Sequence, residues 1–110
     1  DFAFRSIGST GALAAATFAA PITRVLTGIG DIAGDNVALR VNGTQVATSS
    51  TDQGTGTYGN FALNIGARGG SSLFFSGHLY SLIARFGPNL ATGQISSTET
   101  WVAGKTGITI

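Results

Sequence analysis

The sequence has no cysteine and no methionine, one tryptophan, one histidine, two prolines, and only six basic and five acidic residues. Without cysteine, neither a disulfide framework nor a cysteine-liganded metal can form. Charged residues make up 10% of the chain, against about a quarter in an ordinary soluble domain. The net charge is +1 and the basic residues are scattered singly, so no patch exists to attract nucleic acid. No apolar run approaches the roughly 18 residues of a membrane-crossing helix, so no membrane insertion is expected. Disorder is excluded as well, because 43% apolar residues with almost no charge is the opposite of a disordered composition. Nothing after Asp1 reads as a signal peptide. A chain that opens at Asp1 and has no methionine is expected to be a processed product or a segment of a longer protein.

What is present is glycine, 17 residues of it, punctuating patterns of period two, which indicates an all-β chain. Phe2 and Phe4 alternate with Ala3 and Arg5 in a first strand, Phe2–Ile7. A second is expected over Ala12–Phe18, ending before Pro21, and a third over Ile22–Thr27, rich in β-branched residues. Gly28–Asn36 reads as a loop of residues that tolerate positive φ. Val37, Leu39 and Val41 then alternate with Ala38 and Arg40 up to Asn42-Gly43, the preferred type I′ hairpin pair. A two-residue turn sets Val41 opposite Thr44 and Leu39 opposite Val46.

Thr48–Asn60 is a polar loop, and Phe61, Leu63 and Ile65 mark a further strand ending at Gly66. A turn over Arg68–Ser72 follows. From Leu73 to Phe86 apolar residues occupy both parities, which predicts a strand covered on both faces. That strand is therefore central, or one of its faces meets something outside the chain. Between Thr92 and Lys105 the period changes to three and four, through Ile95, Thr98, Trp101 and Val102. This predicts a short helix with Thr92 or Ser96 as cap, Gly104 as its end and Trp101 sealing the core. Ile108–Ile110 reads as a last strand.

Several of these segments together resemble a known family. Val41-Asn42-Gly43, Phe61-Ala62-Leu63-Asn64-Ile65-Gly66, Phe75-Ser76-Gly77-His78-Leu79-Tyr80 and Glu99-Thr100-Trp101-Val102 follow in the order found in the C-terminal half of laminin-G-like, concanavalin A-like domains. The likeness is to those of tailed-phage virion and tail-fibre proteins in particular. It implies an antiparallel jelly-roll β-sandwich, or a half or strand-exchanged sandwich, with residues 1–110 as one such domain or the C-terminal part of one. An extracellular or virion-surface location follows from the likeness and fits a chain whose only lysine is Lys105. Complete members are longer, so a chain of this size leaves an apolar sheet face and strand edges bare unless copies, or the rest of a larger virion protein, cover them.

Catalysis is not expected. Glycosidases of this family use two carboxylates across the sugar bond, but the only glutamate is Glu99 and the aspartates lie at the terminus or in loops. His78 has no nucleophile elbow nearby and reads as a sheet residue. No cofactor is required. Family members often carry calcium on rim loops, and Asp31, Asp35 and Asn36 would be its ligands here; the alternative is that they form Asx turns. Tyr58, with Gln53 and Asn60, is the candidate platform for a cell-surface glycan. The leading expectation is a structural subunit that associates with itself as an oligomer or polymer. Its expected contacts are Phe2, Phe4, Leu79, Tyr80, Leu82 and Phe86.

Overall fold

The computed structural model describes residues 1–59, 62–68 and 70–110. Asn60, Phe61 and Gly69 lie outside them. Five antiparallel strands in two sheets precede one helix. They are β1 (Phe2–Ile7), β2 (Gly11–Ala16), β3 (Leu26–Asp31), β4 (Asn36–Val41), β5 (Thr44–Ser49) and α1 (Thr92–Thr106). β1 pairs with β2, and β3, β4 and β5 form the second sheet in that order.

The two sheets share one core, an arrangement consistent with a small β-sandwich. Ala12 and Ala14 of β2 meet Val37, Leu39 and Val41 of β4, with Phe2, Phe4 and Phe18 packed around them. The β1–β2 register sets Phe2 opposite Ala16 and Phe4 opposite Ala14. Each large ring thus lies beside a methyl group, so the pair fills one layer without overpacking. This is why an alanine-rich segment with good helix propensity is a strand: tertiary packing overrides propensity. The strand ends at Ala16, short of Phe18, whose ring lies 5.6 Å from that of Phe2.

β3 runs four residues beyond its expected position, through Gly28 and Gly30. The reason is close approach rather than loop conformation. A Cβ at Gly28 would enter the Phe4 ring, and one at Gly30 would lie 2.5 Å from the Tyr58 hydroxyl. Glycine is the residue that permits such contact in a strand. Ile22–Arg24 are not in a strand, while buried Val25 donates its N–H to Asn42 Oδ1 at 2.9 Å.

The Asn42-Gly43 turn forms as expected, with both residues at positive φ and Val41 opposite Thr44. The pairing then shifts between Leu39 and Arg40, so Leu39 faces Ala47 rather than Val46. An irregularity of this kind moves every later side chain by one position, and Val46 is left exposed. β4 is the central strand. Val37, Leu39 and Val41 fill the core on one face, and Ala38 is buried on the other. The doubly covered strand expected at Leu73–Phe86 is absent: that segment is neither strand nor helix. The same holds for Ala62–Ile65 and Ile108–Ile110.

α1 covers the expected segment, but neither Thr92 nor Ser96 caps it, since both lie inside the helix, and it passes through Gly104. Gly107, at φ 72°, ends it and donates its N–H to the Ala103 carbonyl. Ala91 occupies the N-cap, where its N–H donates to Gln94 Oε1 at 3.1 Å. The inward residues are Glu99 and Ala103. Trp101 is off that face and 56% exposed, with Lys105 Nζ 5.0 Å above its ring. No described helix is long and apolar enough to cross a membrane.

Candidate functional site

A folded monomer of 11.1 kDa exposes about 5,700 Å². This chain exposes 7570 Å², an excess of about 1,900 Å². The radius of gyration, 14.2 Å, also exceeds the roughly 13 Å of a compact chain of this length. About half of the exposed large apolar side chains among the described residues fall in one short segment. Eight large apolar side chains between Leu73 and Phe86 are each more than half exposed. An apolar surface of this extent marks a binding face or an aggregation liability.

Part of that segment forms one wall of an open groove of about 800 Å³, with Phe75, Leu79, Tyr80 and Leu82 along it. Phe2 and Phe18 from the β1–β2 side, Ile22 and Leu26, and Val102 of α1 are the large apolar side chains on its other walls. Of the six expected contact residues, Phe2, Leu79, Tyr80 and Leu82 are thus brought together. Phe4 instead packs against the core, and Phe86 is 80% exposed outside the groove. His78 also lines the groove, stacked on Tyr80 at 6.2 Å. It lies in no sheet.

The groove wall supplied by α1 is fixed by one ion pair that sequence reading did not single out. Arg40 Nε donates to Glu99 Oε1 at 2.8 Å and its Nη2 to Oε2 at 2.9 Å, a bidentate fork. The guanidinium also donates to the Gly43 carbonyl. Burial works to raise the Glu99 pKa, but the hydrogen bonds and charge of Arg40, together with the polar Thr27 side chain, outweigh it, so the net shift is downward. The Glu99 hydrogen bond likewise raises the Arg40 pKa. A lone arginine on the outward parity of a strand, with the only glutamate on a helix, was the available signal.

Gln53 is fully buried and cannot reach a surface glycan in this arrangement. Its Nε2 donates to the Asp31 carbonyl at 2.9 Å, its N–H to Asp35 Oδ1 at 2.8 Å, and its carbonyl accepts from Thr10 N–H at 3.1 Å. It therefore ties the β1–β2 turn to the β3–β4 turn; its Oε1 is buried without a partner. Asp31 Oδ1 accepts from Gly34 N–H at 3.0 Å, and Asn36 pairs with Asp31 across the ladder. These are backbone-capping roles. No group of three or more His, Cys, Asp or Glu side chains stands together among the described residues.

Tyr58 is half-exposed, and its hydroxyl lies 2.6 Å from Ser6 Oγ. Its ring borders a small cleft of about 180 Å³ with Gly30, Asp31 and Asn89. Of the expected glycan platform this leaves Tyr58, since Asn60 lies outside the described residues.

No protein-family model, curated protein or solved structure matches the chain.

Proposed function

We propose that the chain is a non-enzymatic structural subunit that associates with further copies of itself by covering the Leu73–Phe86 segment and the groove beside it. The observation that carries this reading is the roughly 1,900 Å² of surface beyond that of a folded monomer, together with eight exposed large apolar side chains in that segment. Obligate interfaces bury about 2,000–5,000 Å² in total, so two copies covering this excess fall within that range. Low charge supports the reading too, since 10% charged residues leave strand edges with little electrostatic protection. The proposed architecture is a partial laminin-G-like jelly roll, with added strands drawn from the apolar segment once a partner offers an edge. The proposed setting is a virion appendage or extracellular filament.

The test is the solution mass by light scattering. The chain is expected as an oligomer or polymer, and Leu82→Asp as a soluble monomer. A wild-type monomer, or unchanged assembly in Leu82→Asp, overturns the proposal.

A second reading, a glycan-binding module, is favoured by Tyr58 alone. Its hydroxyl is held by Ser6, so the half-exposed ring is presented rigidly over a cleft carrying Asp31 and Asn89. Rigid aromatic faces bind at low entropic cost.

A further inference from the structure

α1 is attached to the rest of the molecule in an unusual way. No strand packs along it, and its only buried residues are Glu99 and Ala103. What fixes it is the bidentate pair with Arg40, with the Gly43 carbonyl accepting from the same guanidinium. Arg40 and Gly43 both belong to the β3–β4–β5 unit. The docking site is therefore complete within one sheet, and it takes Glu99 whichever chain carries it.

The connection to α1 is long, and beyond Gln53 and Tyr58 little of its described part is tied to the sheets. Residues 50–91 separate β5 from α1 and contain neither helix nor strand among the described residues. About 40 residues can extend to more than 100 Å, well beyond the 40 Å long axis of the molecule. This connection also carries the eight exposed large apolar side chains. A weakly held terminal element on a long, uncovered connection is the arrangement from which elements exchange between identical chains.

We propose that α1 is an exchanged arm: in the assembly, Glu99 of one copy docks on Arg40 of a second, and the apolar connections cover each other where they cross. The inference rests on the self-association proposed above. Exchange recreates every contact of the Arg40–Glu99 site and adds burial of the connection, which the same helix docked on its own sheet leaves exposed.

The test uses Arg40→Glu and Glu99→Arg, which each place two like charges at the clamp. The two variants are refolded from denaturant, separately and as an equal mixture, and their masses are measured. If arms exchange, each chain's helix meets the opposite charge only on the other variant. The mixture then regains the wild-type mass, with an assembled fraction about tenfold or more above either alone. The double variant, with the pair reversed in one chain, must assemble alone. An oligomeric wild type whose variants fail to complement overturns exchange and leaves self-association standing. A monomeric wild type overturns both. A double variant that does not assemble overturns the claim that this pair fixes the arm.

Discussion

Glu99→Gln isolates the clamp. Glu99 is 2% exposed and accepts two bonds from one guanidinium. Glutamine has the same shape, but one of its two positions becomes an NH₂ that faces an Arg40 donor. Removing one partner of a buried pair costs about 3–5 kcal/mol; glutamine retains one acceptor, so about 3 kcal/mol applies, a factor of about 150 in an equilibrium. Because no strand packs along α1, that loss falls on helix docking rather than on global unfolding. A 15-residue helix with two internal glycines is marginal by itself, so undocking melts it. Hydrogen exchange of the Ser96–Thr106 amides should accelerate about 150-fold while those of Val37–Val41 hold their rate. The pH dependence has a fixed sign. The folded pKa of Glu99 lies below its ordinary value, so its stabilisation is complete above about pH 4.3 and is lost as pH falls through the folded value. Corrected for intrinsic rates, acidification should release α1 in the wild type and change little in Glu99→Gln. Helix exchange altered less than tenfold by the substitution, or β4 accelerated equally, would refute the reasoning.

Gly8→Ala drives a Cβ into the Gln53 carbonyl and to within 2.9 Å of Ile32 Cγ2, so backbone must move where Thr10 bonds Gln53. A cost of about 1–3 kcal/mol should lower the Tm by several degrees in calorimetry, and an unchanged Tm would show that the two turns are not locked together. On the glycan reading, Tyr58→Ala should abolish capture on a glycan array while the assembled mass persists; a wild-type chain that captures no glycan ends that reading.

Local features of the fold were legible and tertiary ones were not. The Asn42-Gly43 turn needs only residues with positive φ at two adjacent positions, and both residue types declare that. The register beyond it depends on the irregularity at Leu39 and Arg40, which leaves no mark on an alternating pattern. Gly28 and Gly30 read as loop because flexibility and close approach select the same residue. Only the positions of Phe4 and Tyr58 distinguish the two. Trp101 and Val102 fit the same spacing with Ile95, but the buried face is set by where Arg40 waits for Glu99. Gln53 looked like a loop amide available to a ligand, because nothing in its neighbours announces that two distant turns converge on it.

The Leu73–Phe86 segment joins the two halves of this account. Apolar residues at both parities predict a strand with cover on each face, and among the described strands β4 alone has that position, paired on both sides. A second such strand would need two more edges and a second layer. The core of two valines, two alanines and one leucine offers no layer deep enough. Forming it within one chain would order a further fourteen or so residues, at about 1–2 kcal/mol each in backbone entropy, against a sheet edge that pairs only one side of the strand. The segment therefore stays exposed in the single chain for the reason that its sequence reads as central: the partners that would make it central are not in the chain. On the proposed self-association, a second copy with bare edges of its own supplies the second edge and the face that this reading calls for.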